Sequence, residues 1–144
     1  MHTDRALVIA LEPFIALDDV PTRLPHDVAR VVADHAAVGY RLLPIARIPH
    51  AVVNALNDNG DVTSLGDHIR RAVRTQVGAR VLDPVWLADS HDPRPLWDAA
   101  RRYELRLHRS ILLTDGAAHA GVCRTAGIGR VAGLRELQHV LVAA

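Results

Sequence analysis

The sequence alternates short apolar runs with amphipathic stretches along its length. The run Arg5–Leu11 (RALVIAL) is apolar after its first residue, which is typical of a strand buried on both faces of a sheet. The next segment, His26–Val38, has helical spacing. Its apolar face holds Val28, Val31, Val32 and His35. Because strands that alternate with helices form parallel sheets covered on both sides, the pattern predicts an α/β three-layer domain.

The rest of the chain repeats this alternation. Further strands are predicted at Arg41–Ala46, Arg80–Trp86, Ser110–Leu113 and Gly129–Val131. Further helices are predicted at His50–Leu56, Ser64–Val77, Pro95–Tyr103, Ala117–Ala126 and Leu134–Val142. Neither an internal repeat nor a long linker divides these elements, so we expect residues 1–144 to form a single domain with a five-stranded parallel sheet.

The amino-acid composition limits the classes of protein to which the chain can belong. The chain has 144 residues, of which 49% are hydrophobic and 23% charged, as in an ordinary folded domain. No apolar run reaches the roughly 18 residues of a membrane span, and we expect a cytoplasmic protein without membrane contact. The single cysteine, Cys123, cannot form an internal disulfide and is predicted to pack as a small apolar side chain.

The chain contains 17 arginines and no lysine. Lysine Schiff bases and lysine phosphate-binding loops are therefore excluded, because both need a primary amine. The net charge is only +1 and aromatic residues make up 3% of the chain, so nucleic-acid binding is not expected either.

In a parallel sheet, ligands bind beyond the carboxyl ends of the strands. The loops at that edge are predicted at Leu11–Asp19, Ala46–His50, Leu87–Pro95 and Thr114–His119. These four loops are the candidate location of any functional site.

Several stretches resemble the haloacid dehalogenase (HAD) superfamily, in particular its capless histidinol-phosphate and heptose-bisphosphate phosphatases. Gly39–Leu43 (GYRLL) is similar to the start of the family's second strand. His91–Tyr103 is similar to its third motif, and Ser110–Gly116 (SILLTDG) to its fourth. The resemblance implies a Rossmann-like HAD fold with no cap domain.

The family's catalytic residues do not carry over. Its first loop reads DxDG, whereas this chain has Leu11-Glu12-Pro13-Phe14, and in neither register does Glu12 replace the nucleophile. Asp92 stands at the position of the family's lysine. Asp115 is retained, but His119 falls at the second metal-binding acid. Since phosphoryl transfer by this scheme needs a nucleophilic carboxylate and several carboxylates on magnesium, we expect no catalytic residue, no cofactor and no metal.

This loss leads to the functional hypothesis. A domain that keeps its packed fold but loses its catalytic residues is often retained because its surface binds another molecule. We therefore expect a catalytically degenerate subunit that binds a partner protein in a hetero-oligomeric biosynthetic enzyme. The resemblance extends to HAD-like subunits of natural-product pathways, including those that close an aziridine ring by expelling sulfate. Trp86 and Trp97, which flank the third loop, are candidate partner-binding residues, and the alternative is that they are core residues.

Two alternatives remain open. In one, cationic side chains around the position where relatives bind phosphate hold an anionic small molecule without magnesium. The predicted ligand-binding residues are Arg47, His50, Arg94, Asp115 and His119. In the other, the chain is a residual phosphatase that depends on Asp115.

Overall fold

The computed structural model describes residues 4–12, 14, 23–47, 61–87, 91–115, 117 and 119–143. These residues form one five-stranded sheet in which every pairing is parallel. The strands are β1 Ala6–Ala10, β2 Arg41–Arg47, β3 Val85–Leu87, β4 Ile111–Leu113 and β5 Arg130–Ala132. Their order across the sheet is β3-β2-β1-β4-β5, so the first strand of the chain lies at the centre.

The helices cover both faces of the sheet, as the alternating pattern predicts. They are α1 His26–Ala37, α2 Asp61–Val77, α3 Arg94–Tyr103, α4 Ala120–Ala126 and α5 Leu134–Ala143, with a 3-10 turn at Leu107–Arg109. Helices α1, α2 and α5 contribute to the core on one face, and α3 and α4 to the core on the other. The predicted helix His50–Leu56 lies outside the described residues.

The central strand is buried because its residues are apolar without interruption. All five residues of β1 are fully buried, and alternate ones point into the two opposite cores. On α1 the predicted apolar face is the buried face, including His35, whose Nδ1 lies 2.8 Å from the Val31 carbonyl oxygen. The helix ends where Gly39 adopts a φ of 103°, which a residue without a side chain accommodates easily.

Three predicted boundaries are wrong. Helix α4 begins at Ala120 rather than Ala117. Helix α2 begins at Asp61 rather than Ser64, so it includes the last residue of Asn57–Asp61 (NDNGD), a stretch whose composition is typical of a turn. Strand β3 starts at Val85 rather than Arg80. Only an isolated bridge between Leu42 and Val81 remains of the earlier part of that strand.

Pro44 explains the late start of β3. Along β2, Ile45 bonds toward β1, since its carbonyl accepts from the Leu11 N–H at 3.0 Å. The Leu42 carbonyl bonds on the other side, with the Leu82 N–H at 2.9 Å. Because bonding directions alternate along a strand, Pro44 faces the same side as Leu42 but has no N–H to donate. The ladder is interrupted there and resumes with the pair Ile45 and Val85.

Parallel pairing places the carboxyl ends of the strands at one edge of the sheet. The segments after β1, β2, β3 and β4 therefore leave the sheet on the same side, where the candidate site was expected. Within the described ranges, no separate cap is formed and no helix is long and apolar enough to cross a membrane.

Candidate functional site

Glu12 lies at the centre of the carboxyl edge. Strand β1 ends at Ala10, and Leu11 continues its direction by bonding to Ile45 of β2. A turn then follows, in which the Phe14 N–H donates to the Leu11 carbonyl at 2.9 Å. The Glu12 side chain is thereby placed beside the ends of the two neighbouring strands.

The two carboxylate oxygens of Glu12 are bound by different segments. The backbone N–H of Arg47, at the end of β2, donates to Oε1. The imidazole Nε2 of His119, in the segment after β4, pairs with Oε2. The His119 side chain is only 7% exposed and that of Glu12 31% exposed, so the pair is largely shielded from water. One carboxylate thus links three strand ends.

The position of His119 is set by the turn before α4. Thr114, the residue after β4, is buried and its N–H donates to the Ala132 carbonyl at 3.1 Å. His119 has a φ of 62°, and its carbonyl accepts from the Cys123 N–H in the first turn of α4. A left-handed conformation in a residue with a side chain costs about 1 kcal/mol or more, and it aims the imidazole at Glu12.

The structure brings together two of the five predicted ligand-binding residues. Arg47 and His119 meet through the carboxylate of Glu12. Asp115 is an exposed residue that follows Thr114, on the same edge. His50 lies outside the described residues.

Arg94 is engaged elsewhere. It opens α3, and its guanidinium forms a forked contact with Asp92, in which Nη2 lies 2.9 Å from Oδ2 and Nε 3.0 Å from Oδ1. The hydrogen bond between the side chains lowers the pKa of Asp92 and raises that of Arg94. An anion would have to compete with Asp92 for this arginine.

The two tryptophans differ in their surroundings. Trp86, on β3, is half-buried and packs against the core beneath α1 and α2. Trp97, on α3, is 45% exposed, and its indole N–H donates to the Ala126 carbonyl at 3.0 Å. Trp97 is therefore the more accessible of the two predicted partner-binding residues.

Two other polar side chains are buried without belonging to the site. His35 packs edge-on against the Tyr40 ring, with centroids 5.3 Å apart, which confirms it as a core histidine. Cys123 is fully buried in α4, and burial raises the pKa of its thiol to about 12. Both are structural, and Cys123 is unsuited to act as a nucleophile.

Glu12 is not among the ligand-binding residues predicted from the sequence. Its signal in the sequence is an acid directly after the predicted first strand, together with a histidine at the end of the loop that follows the fourth. The two are 107 residues apart and become neighbours because β4 pairs with β1.

No protein-family model matches the sequence, and no curated protein is similar to it. Among solved structures, one described as a HAD-like phosphatase from Mesorhizobium loti superposes with a TM-score of 0.71 at 16% identity, covering 96% of this chain and 85% of that one. A D,D-heptose 1,7-bisphosphate phosphatase from B. bronchiseptica, complexed with magnesium and phosphate, superposes at 0.68 with 14% identity and coverage of 97% and 99%.

This chain has a HAD-like fold. A second D,D-heptose 1,7-bisphosphate phosphatase, from Burkholderia thailandensis, gives a TM-score of 0.60 at 18% identity, covering 86% of this chain and 74% of that one. The resemblance inferred from the sequence motifs is thus confirmed at the level of fold, as is the Rossmann-like five-stranded sheet.

The described residues at the carboxyl edge of this HAD-like chain do not fit a magnesium ion. Magnesium prefers several oxygen ligands in near-octahedral geometry. The oxygens of Glu12 are already bound by Arg47 and His119, and the described residues contain no group of three or more metal-ligating side chains. We therefore derive no chemical step through a metal ion here.

Proposed function

We propose that this chain is a catalytically degenerate HAD-like subunit that binds and supports a partner protein in a hetero-oligomeric enzyme. The observation that carries the proposal is the state of Glu12. At the edge where a HAD phosphatase needs an available carboxylate, the acid of this chain is tied to a histidine imidazole and a backbone N–H. Such a carboxylate serves as a link between loops rather than as a nucleophile.

The charge distribution around Glu12 supports the same conclusion. Phosphoryl transfer requires carboxylates on a metal ion and a cation for the transferred group. Here the acid after β1 is paired with His119, and Arg94 is paired with Asp92. Glu12 and Arg94 are thus each committed to another side chain, while Asp115 is exposed on the same edge.

We infer that the partner is an enzyme of a biosynthetic pathway in the cytoplasm. The support is a resemblance of fold, together with the departures from the family's catalytic motifs, to degenerate HAD-like subunits, among them those of aziridine-forming, sulfate-eliminating systems. The exposed indole face of Trp97 offers a contact for such a partner, because tryptophan contributes strongly to binding when it is buried in an interface.

Co-expression tests the subunit role. The tagged chain is produced together with the genes that flank its own, and the purified material is analysed by light scattering and assayed against a panel of phosphate esters with magnesium. We expect a complex of fixed stoichiometry with one flanking gene product and no hydrolysis by the isolated chain. A monomer that has no partner and hydrolyses a phosphate ester would contradict the proposal.

One observation favours an anion site as the second candidate. The Arg47 N–H and the His119 imidazole already bind a carboxylate, so both groups accept negative charge. If an external anion displaces Glu12, millimolar sulfate or phosphate will raise the unfolding temperature, and His119→Ala, which removes the imidazole that binds the carboxylate, will reduce the effect. The absence of any shift would remove this candidate.

A further inference from the structure

A groove of about 1200 Å³ runs between α1 and α2, away from the carboxyl-edge site. Its floor is made of small or buried apolar side chains. Leu24 and Ala29 are buried, and Ala33 and Ala72 are half-buried. Because three of these four side chains are alanines, the groove leaves room for another segment to approach the two helices closely.

The end of the groove is held rigidly. Gln76 of α2 binds both backbone groups of Leu24, accepting from its N–H at 2.9 Å and donating to its carbonyl at 2.7 Å. These two bonds fix the segment entering α1 against α2. The groove is therefore organised before anything binds, which reduces the entropy lost on association.

The rim of the groove is cationic. Arg23, Arg30 and Arg71 line it together with His26 and His68, and all five are exposed. Among its lining residues in the described part of the chain, none is acidic. Because the whole chain carries 17 basic against 16 acidic residues, this positive charge is a local concentration.

The rim arginines also differ from the paired arginines elsewhere. Ion pairs engage Arg70, Arg94, Arg102, Arg106, Arg109 and Arg130. Arg23, Arg30 and Arg71 form no ion pair with any residue that the structure describes. Three arginines above an apolar floor thus have no ion-pair partner among the described residues and match a ligand that brings carboxylates.

We propose that the groove between α1 and α2 binds an acidic amphipathic helix of the partner protein. An apolar stripe of small side chains on such a helix would lie on the floor, and its flanking glutamates or aspartates would reach the rim arginines. A nucleic acid fits less well, because the lining holds no phenylalanine, tyrosine or tryptophan ring on which a base could stack. The inference rests on the proposed subunit role and adds the surface and the chemistry of the partner.

Fluorescence anisotropy with a defined peptide tests the groove. The probe is a synthetic helical peptide with an alanine and leucine stripe flanked by glutamates, and its counterpart carries lysines instead. The test variant is Arg30→Glu with Arg71→Glu. The matched control is Arg101→Glu with Arg124→Glu, which reverses two exposed arginines on the opposite face of the sheet.

We expect the glutamate peptide to bind the unmodified chain and the control equally. Its affinity should fall at least about tenfold for Arg30→Glu with Arg71→Glu, and the lysine peptide should not bind. Unchanged unfolding temperatures would show that both variants fold. Equal affinity for both variants, the absence of glutamate-peptide binding, or preferential binding of a single-stranded oligonucleotide would overturn the proposal.

The co-expressed complex separates this proposal from the subunit role. Loss of the partner from the Arg30→Glu, Arg71→Glu variant alone supports the groove. Retention of the partner by that variant overturns the groove but leaves the subunit role intact. If the unmodified chain has no partner, the subunit role fails, and the peptide measurement still decides whether the groove binds an acidic helix.

Discussion

At the scale of single residues, both carboxylate oxygens of Glu12 are hydrogen-bonded to other parts of the protein. A carboxylate bound on both oxygens joins the segments after β1, β2 and β4, which are distant in sequence. Since a buried hydrogen-bonding group that loses its partner is costly, the link should contribute measurably to stability.

Replacement of Glu12 tests that contribution. Glu12→Ala leaves the shielded His119 imidazole and the Arg47 N–H without their acceptor. We expect a loss of about 1–2 kcal/mol in the free energy of unfolding, or about 3–8 °C in the unfolding temperature. Asp34→Ala, at an exposed acid on α1, is the control and should change stability by less than about 0.5 kcal/mol. If Glu12→Ala and Asp34→Ala had the same unfolding temperature, the hydrogen bonds of Glu12 would make no contribution to stability.

The thiol of Cys123 provides a second prediction, on pH. Burial raises its pKa from 9.0 to about 12, so the folded thiol keeps its proton where the unfolded thiol loses it. The contribution to stability is complete below pH 9.0 and is lost as the pH rises toward about 12.

Alkylation kinetics check this shift at pH 8. The folded chain should react with iodoacetamide about a thousandfold more slowly than the denatured chain, because its thiolate fraction is lower by that factor and access is restricted. The Cys123→Ser variant provides the unlabelled blank. A folded chain that reacts as fast as the denatured one would contradict the burial of this residue.

The site residue that was missed shows what a sequence hides at this scale. The sequence predicts Arg47 and His119 as site residues because each falls in a loop expected after a strand. Comparison with the family's first motif suggests for Glu12 only the role of a substitute nucleophile, which it does not fit. Its pairing depends on β1 lying between β2 and β4, and the order of strands in a sheet is not encoded by local periodicity.

At the scale of elements, strand and helix identities were predictable and three boundaries were not. Hydrophobic periodicity located all five strands of the described sheet, because buried parallel strands require continuous apolar runs. The late start of β3 follows from a missing N–H at Pro44 in the neighbouring strand, which is a tertiary effect, and Pro84, directly before β3, has no N–H to donate either. The start of α2 at Asp61 likewise lay inside a stretch that reads locally as a turn.

The entry to β5 gives a prediction for an element. A methyl group added at Gly129 would overlap the His108 carbonyl oxygen and lie 2.9 Å from its carbon. The neighbouring backbone cannot easily yield, because the Gly129 N–H is bonded to the Leu107 carbonyl at 3.0 Å. We expect Gly129→Ala to reduce the free energy of unfolding by about 2 kcal/mol or more.

Gly121 is the matched control for that substitution. It lies in α4, and a methyl group there meets nothing within 4 Å. Since alanine favours a helix over glycine, Gly121→Ala should leave stability unchanged or raise it by about 0.5–1 kcal/mol. Denaturant unfolding of both variants measures the difference, and a Gly129→Ala chain as stable as the parent would refute the close approach.

At the scale of the whole molecule, the chain has the fold of HAD-like phosphatases, and its described residues contain no group of three or more metal-ligating side chains. Magnesium binding would stabilise the folded state, by about 2.7 kcal/mol at a hundred times the dissociation constant. Because the edge does not fit the ion, we expect about 10 mM magnesium chloride to raise the unfolding temperature no more than sodium chloride of equal ionic strength. Differential scanning fluorimetry makes the comparison, and a magnesium-specific shift of several degrees would contradict it.

The strand order also bears on how the chain is made. The central strand β1 leaves the ribosome well before its second neighbour, β4, which begins only at Ile111. Until Ile111–Leu113 has been synthesised, one side of β1 has no native strand to bond with. An unpaired apolar edge in a nascent chain recruits other chains, so production of this protein should depend on chaperones that shield it until translation ends.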